Sequence, residues 1–439
     1  MKAIYTFKKL PDSPRKPAPA MDTSPAYANY VLGVLFTVYV FNFIDRQAMS
    51  VFIGPIKAEF GASDTAMGLL VGFAFALLYT FAGIPIARLA DRGNRRNIIA
   101  MGLAAWSLMT IATGMAKNFL HLVIARVGVG IGEAAGTPPA HSLIADYFPI
   151  HRRATALAIY STGVFVGSAI AYLGGGYLRE HFEWRTAFVI LGAPGLLFVL
   201  VLRFTVKEPP RGLSEQRNNT PETSTLKETL AYLMDSPSWV CLMAGASCLS
   251  IIGYGIMMWG YEFYARIHGM PSLEVGKWMA LIVGVGGCLG TLLGGVLADR
   301  LAVRKPSHVI RVPGLLTLAG MPFGAACLLA ESSTVSLLCL FPFYVLLNVY
   351  IPSMYSANQN LARLSMRATA SAIVLFIINI VGAGAGPFIV GALSDLFALN
   401  YGDQGLRYAL LVTVVLGGIG CFFLALSSRW LARDLQRVR

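Results

Sequence analysis

The chain has 439 residues, of which 56% are hydrophobic and only 13% are charged, and its mean hydropathy is +0.63. Because soluble domains carry roughly 25% charged residues, this composition predicts an integral membrane protein and excludes an ordinary soluble domain. The formal net charge of +13 fits basic loops beside anionic inner-leaflet lipid, so we infer membrane lipids, and no nucleic acid, as partners of these charges.

Apolar stretches of about twenty residues recur along the chain, and a helix needs this length to cross the hydrocarbon core. We place spans near residues 29–52, 64–90, 97–116, 119–148, 152–178, 186–206, 236–266, 274–300, 308–330, 334–362, 367–396 and 405–430. The polar stretch KEPPRGLSEQRNNTPETSTLKE lies between the sixth and seventh spans and cannot cross a membrane. The predicted fold class is an all-α membrane protein with twelve transmembrane helices. Its two six-helix halves, residues 29–206 and 236–430, are joined by a linker, residues 207–235.

Lys and Arg concentrate in alternate loops, and such loops face the cytoplasm. The bases of this side are Lys2, Lys8, Lys9, Arg15, Lys16, Arg92, Arg95, Arg96, Arg152, Arg153, Lys207, Arg211, Arg217, Lys227, Arg300, Arg304, Lys305, Arg311, Arg363, Arg367, Arg429, Arg433, Arg437 and Arg439. The other loops hold only scattered bases. We therefore expect both termini and the linker to be cytoplasmic, in a multi-pass protein of the cell inner membrane. Residues 1–25 are basic and proline-rich without an apolar core, so we do not interpret them as a cleavable signal peptide.

The first span contains two adjacent opposite charges, Asp45 and Arg46, within VLFTVYVFNFIDRQAMSVFIGPI. An ionised side chain at the centre of a spanning helix costs about 2.5 to 3.5 kcal/mol, and such residues normally face the bundle interior, a cavity or each other. The pair therefore indicates a functional site within the membrane.

The second span ends in ARLADRGNRR, and the eighth ends in GGVLADR. The shared LADR falls at equivalent points of the two halves, as expected for a transporter built from repeats. Positive-inside topology alone would explain Arg92, Arg95 and Arg96, because charges are tolerated at the membrane boundary. The acid Asp91 needs another explanation.

The fourth span carries Arg126 and Glu133, seven residues apart and therefore on one helix face. If the first span packs there, Asp45, Arg46, Arg126 and Glu133 share one polar cavity with two acids and two bases. Asp45 and Glu133 are then candidate proton carriers. The alternative is a fixed ion-pair network that only holds the N-terminal helices together.

Other kinds of site are not indicated. The six cysteines all lie in apolar segments without CxxC spacing or flanking His, so we interpret them as packing residues. HExxH spacing and the nucleotide-binding pattern GxxxxGK[ST] are both absent from the sequence, which argues against a metalloenzyme and against an ATP-driven pump. We expect no enzyme activity and no cofactor.

The sequence resembles the major facilitator superfamily. LADRGNRR is similar to its loop signature G-x-L-A-D-R-x-G-R-R, although Ala87 replaces the first Gly and Gly93-Asn94 inverts the later order. Span four matches the RxxxGxG motif, and EWR at residues 183–185 resembles the WR turn. Within the superfamily, FNFIDRQAMSV, VGVGIGEAAGTPPAHSLIADYFP and KEPPRG resemble the Spinster group of lipid transporters.

This resemblance implies a proton-coupled secondary transporter of a lysophospholipid or sphingoid-like amphiphile, working as a monomer. Arg46 and Arg126 would bind an anionic headgroup, and Asp45 and Glu133 would exchange the proton. Asp91 would take part in a cytoplasmic gate, with Asp146 a possible partner and with Arg92 and Arg95 beside it. The alternatives are an exporter of amphipathic drugs or organic anions, and a membrane scaffold that transports nothing.

Overall fold

The computed structural model describes residues 24–210, 225–302 and 305–437, and these residues form an almost entirely helical bundle without strands. The predicted bases near the N-terminus, together with Arg211, Arg217, Arg304 and Arg439, lie outside the described residues. The predicted all-α class with twelve spanning helices is confirmed. Eleven helical stretches are long and apolar enough to span a membrane, and the last, Leu364–Gln436, contains two spans that separate at Gly402, where φ is 55°.

The N-terminal half contains six spans, and three of them are broken once. The breaks in spans 1 and 2 lie near the end away from the linker, and the break in span 4 lies in its middle. Span 1 is Pro25–Val51 with Ile53–Phe60, span 2 is Asp64–Val71 with Phe73–Arg92, span 3 is Arg95–Gly114, span 4 is Phe119–Glu133 with Thr137–Tyr147, span 5 is Ile150–His181 and span 6 is Trp184–Thr205.

The C-terminal half differs in that two of its spans contain π-helical segments. Span 7 is Pro237–Ile267, span 8 is Ser272–Met279, the π-segment Ala280–Gly286 and Gly287–Ala302, span 9 is His308–Leu329, span 10 is Ser333–Asn348 with Tyr350–Leu361, span 11 is Arg367–Ile377, the π-segment Ile378–Ala385 and Gly386–Tyr401, and span 12 is Gly405–Gln436. Short 3₁₀ turns, Leu364–Met366 and Gly402–Gln404, precede spans 11 and 12.

Polar caps start many of these helices. Ser24, Ser63, Asn94, Asn118 and Ser236 each accept a hydrogen bond from a backbone N–H of the first helical turn. Such caps satisfy donors that have no partner inside the helix, which matters most where little water is present. The predicted linker also contains a capped helix, Leu226–Met234, which the sequence analysis did not foresee. The division into halves and linker itself stays a prediction.

The turn before span 6 explains one of the sequence motifs. The indole Nε1 of Trp184 donates to Glu59 Oε2 over 2.6 Å, and the Arg185 guanidinium donates to the same oxygen. The EWR stretch thus fastens the start of span 6 to the end of span 1.

Among the described residues, the two halves pack closely toward one end of the bundle. We call the end that carries the linker the linker face and the opposite end the far face. At the far-face ends of spans 2 and 11, a Cβ added to Gly68 would lie 2.5 Å from the carbonyl oxygen of Pro387. Spans 5 and 8 repeat this arrangement, since a Cβ on Gly176 would lie 2.7 Å from the Ser272 carbonyl oxygen. Glycine is required at both contacts because backbone meets backbone.

The hydrophobic core shows the same difference between the far face and the linker face. One buried cluster runs from the far-face ends of spans 1 and 2, including Met49 and Met67, into the C-terminal half, where it includes Met279 and continues to Leu431. A second cluster, centred on Trp106, consists almost entirely of residues from the N-terminal half. At the linker face the end of span 2 is exposed, including Leu89 and Asp91. The bundle is therefore closed at the far face and open at the linker face.

Candidate functional site

Charged side chains from spans 1 and 4 meet inside the N-terminal half. Arg46 Nε donates to Glu133 Oε2 over 2.7 Å. Asp45, Arg126 and Glu133 are 3%, 2% and 0% exposed, whereas the Arg46 side chain keeps 13% of its surface exposed. The structure thus brings the four predicted residues together, and Arg46 is the most exposed of the four.

Aromatic rings surround the Arg46 guanidinium. Its central carbon lies 5.0, 4.8 and 4.4 Å from the ring centroids of Phe43, Phe75 and Tyr79. Cation–π contacts of this kind are stronger where water is excluded. The sequence analysis missed Phe75 and Tyr79, although their spacing of four residues places both on one face of span 2.

The inner part of this cluster has incomplete hydrogen bonding. Arg126 Nη1 donates to the backbone carbonyl of Asp45 over 3.4 Å, and the Asp45 carboxyl neighbours Thr110. Within the described residues, Arg126 Nε and Glu133 Oε1 have no hydrogen-bond partner. Buried polar atoms without partners are costly and are found disproportionately at functional sites. Glu133 therefore has one oxygen that pairs with Arg46 and a second that could carry a proton.

Glycines let span 4 reach its neighbours. A Cβ on Gly130 would lie 2.8 Å from the Phe75 carbonyl oxygen, and one on Gly132 would lie 2.7 Å from the Trp106 amide nitrogen. Larger residues would push span 4 away from spans 2 and 3. The RxxxGxG spacing therefore brings Arg126 and Glu133 up against the aromatic side chains of span 2.

The C-terminal half contributes Tyr254 of span 7, which is within electrostatic range of Arg46 and Tyr79. The amide side chains of this half bond within it. Asn358 is fully buried and accepts from Trp239 Nε1 over 2.9 Å, so it holds spans 7 and 10 together. Asn348 donates to the carbonyl of Tyr344, while Gln359 donates to Ser371.

The predicted gating residues separate into two groups. Asp91 and Arg92 are exposed at the open linker face, and neither side chain forms a hydrogen bond or ion pair with another described residue. Arg95 is 1% exposed and donates to Asp146, while its Nε donates to Glu208 Oε1 over 2.7 Å. These three all belong to the N-terminal half or the start of the linker. In this state Asp146 is thus bonded to Arg95, and Asp91 stands apart.

Comparison with known proteins agrees with this architecture. Residues 35–387 match the Major Facilitator Superfamily. An "MFS-type efflux pump" of Mycolicibacterium smegmatis is 36% identical over 436 residues, covering 96% of this chain and 99% of that protein. "Protein spinster homolog 1" of Xenopus laevis is 25% identical, covering 92% and 81%. A crystal structure of a bacterial homolog to the human lysosomal transporter Spinster, inward-facing and unoccupied, superposes with a TM-score of 0.86 at 34% identity, covering 94% and 99%.

Proposed function

The chain belongs to the major facilitator superfamily of secondary transporters, and from that premise we propose that it moves a single-chain, lipid-like amphiphile by alternating access with proton coupling. The class of substrate is a lysophospholipid or a sphingoid-like compound. The similarity to Spinster proteins supports this class.

The observation that carries the proposal is the Arg46–Glu133 ion pair inside the N-terminal half, with Arg46 partly exposed. Arg46 is the partly exposed member, so it is the group that an anionic headgroup would meet first. Glu133 already neutralises it, and a headgroup must therefore compete with Glu133 for the guanidinium. Protonation of Glu133 removes that competition, because a neutral carboxyl binds a guanidinium weakly. Proton and headgroup would then bind together.

The other two members of the cluster have supporting roles in this mechanism. Asp45 is the second proton carrier, since it is buried beside Glu133. Arg126 is the second headgroup-binding base, but its 2% exposure places it behind Arg46. We expect it to contribute after Arg46 and to balance the charge of Asp45 in the empty site. A gating role for Asp91 and Arg92 is part of the same proposal, as is a monomer with both termini cytoplasmic in the cell inner membrane. Arg95 and Asp146, which the sequence also assigned to the gate, bond to each other, and we propose that they hold the N-terminal half together beside it.

Uptake of labelled lysophospholipid into proteoliposomes, with and without an imposed pH gradient, tests the proposal. The native chain should show gradient-dependent flux, and Glu133→Gln should lose it while keeping its fold. Asp403→Asn, which changes an exposed acid in the turn before span 12, is the matched control and should transport normally. Flux without any dependence on the gradient would contradict proton coupling.

A second candidate function is export of amphipathic drugs or organic anions. The similarity to the "MFS-type efflux pump" favours it, at 36% identity over nearly the whole of both chains. Competition distinguishes the two candidates. Structurally unrelated amphipathic compounds should all compete with the labelled lipid if the chain exports drugs, whereas only single-chain amphiphiles should compete if it transports lipid. A scaffold would show no flux in either assay.

A further inference from the structure

Charged side chains from both halves form one network at the far face. Its acids are Asp64, Glu262 and Asp395, and its bases are Lys57, Arg179 and Arg266. We propose that this far-face network is the latch that holds the far face shut, and that Gly54 and Asp395 position it. The proposal rests on the alternating-access transport proposed above. It goes beyond that function by assigning residues to the closure at the far face.

Asp64 is the centre of the network. Its carboxylate receives two hydrogen bonds from Arg266 of span 7, over 2.7 and 3.0 Å, and one from Ser394 of span 11, over 2.6 Å. Lys57 of its own half adds another over 2.6 Å. Asp64 is 2% exposed, so these are charge-assisted bonds away from bulk water, and the two-pronged arginine contact fixes their geometry. Three of these four hydrogen bonds come from the opposite half.

Asp395 of span 11 caps a helix that belongs to the other half. Its carboxylate oxygens accept from the backbone N–H of Asp64 over 3.0 Å and of Thr65 over 2.7 Å, and also from the Thr65 hydroxyl over 2.6 Å. These amides open span 2 and have no partner inside their helix. A negative charge is also favourable at a helix N-terminus. The capping therefore exists only while the halves are together, and separating them leaves both amides to be satisfied by water.

The second part of the network depends on a glycine in span 1. Glu262 of span 7 accepts from Arg266 over 3.2 Å and lies 3.5 Å from Arg179 of span 5. Arg179 also donates to the Val51 carbonyl over 2.6 Å. A Cβ added at Gly54 would lie 2.8 Å from Glu262 Oε2 and 3.1 Å from Arg179 Nη2. A methyl group at Gly54 would therefore displace the charged ends of Glu262 and Arg179 from their present positions.

The composition of the network suits a contact that is made and broken. Three acids and three bases leave no net charge when the far face is closed. When it opens, each charged group exchanges its partner for water. The favourable hydration free energy of the separated charges then offsets part of the attraction that is lost. The Arg95 cluster at the linker face differs, because its bonds stay within the N-terminal half and the start of the linker.

Distances between spin labels on the two halves test the proposal without any substrate. In a chain whose six native cysteines are replaced, labels at positions 117 and 331 report the far face, and labels at positions 152 and 364 report the linker face. All four positions are exposed. The variants are Gly54→Ala, Asp395→Ala and, as the control, Gly33→Ala. The control lies in the same span, and no described atom lies within 4 Å of a Cβ added there.

We expect Gly54→Ala and Asp395→Ala to move the far-face distances to longer values and the linker-face distances to shorter ones, while Gly33→Ala matches the parent. This reciprocal change is specific to a latch, since general loosening would broaden both distributions without shortening either. Unchanged distances in both folded variants would overturn the proposal, and so would broadening alone. Because neither readout needs flux, a wrong substrate class leaves the result interpretable.

Discussion

Arg46 is the single residue on which the proposed headgroup site depends. Its guanidinium combines one short bond to Glu133 with contacts to three aromatic rings. The planar, weakly hydrated guanidinium suits this position, whereas the compact and strongly hydrated ammonium of lysine stacks poorly. Charge alone therefore does not describe what the residue contributes.

Replacing Arg46 by lysine separates these contributions. Arg46→Lys keeps the charge opposite Glu133 but loses the flat surface against the rings, so we expect the KM for substrate to rise about tenfold, the equivalent of ~1.4 kcal/mol, with kcat little changed. The concentration dependence of uptake measures this. Arg203→Lys is the control, because Arg203 also stacks on an aromatic ring, Phe204, but lies on the exposed surface. An unchanged KM in Arg46→Lys would show that charge suffices.

At the residue scale the sequence identified the charges but not their surroundings. Asp45, Arg46, Arg126 and Glu133 are conspicuous because ionised residues are rare in spans. Phe75 and Tyr79 are not, because aromatic residues are ordinary in a membrane helix and their proximity to Arg46 depends on how spans 1 and 2 pack. Asp64 and Asp395 lie near span ends, where charges need no explanation, so nothing in the sequence joined them across the two halves.

At the scale of elements, two kinds of charged residue lie at the linker-face ends of spans 2, 3 and 4. One is the buried cluster around Arg95, and the other is the exposed group at the end of span 2. Arg95 ties spans 3 and 4 to Glu208, just after span 6, whereas Asp91 ends span 2 at the open mouth. We expect a gate that closes this face to use the exposed residues. We expect the Arg95 cluster to hold the N-terminal half together whether the linker face is open or closed.

Two substitutions distinguish these roles. We expect Arg95→Ala to lower the free energy of unfolding by about 3 kcal/mol, because Asp146 and Glu208 would lose their charge-assisted bonds to Arg95 at poorly solvated positions. Asp91→Asn should leave stability unchanged and slow transport, because the linker face would close less readily. Thermal unfolding of the purified protein and initial uptake rates measure these effects. Equal loss of stability in both variants would contradict the division.

The predicted spans agree with the observed helices to within a few residues, except where helices extend beyond the apolar core. Hydropathy locates spans well because the membrane demands length and apolarity. It does not report interruptions, and so the break between Val51 and Ile53, the one at Gly72 and the π-segments of spans 8 and 11 were all missed. The helix Leu226–Met234 was missed because it is short and lies in a polar region.

At the scale of the whole molecule, the asymmetry of the two faces sets the conformational state. Closure at the far face, exposure of Asp91 and the separate N-terminal core together describe a bundle open toward the linker. If the linker is cytoplasmic, as the distribution of Lys and Arg predicts, this state faces inward. The resemblance to a structure described as inward-facing agrees with that orientation.

Thiol labelling tests the orientation. Single cysteines at positions 152 and 403, both exposed but on opposite faces, are introduced into the background without native cysteines. A membrane-impermeant reagent added to intact cells should label position 403 at once and position 152 only after the membrane is permeabilised, because the basic loops are retained inside. The reverse pattern would place both termini outside.

The π-helical segments Ala280–Gly286 and Ile378–Ala385 affect how spans 8 and 11 respond to the deletion of a single residue. Each wider turn holds one residue more than an α-helical turn, and one residue corresponds to a rotation of roughly 100° about the helix axis. Deleting one residue inside such a segment would restore an α-helical turn and leave the side chains of the rest of the span facing nearly the same way. A codon lost in the α-helical part of span 8 or span 11 would instead rotate everything that follows it and change which side chains face the neighbouring helices.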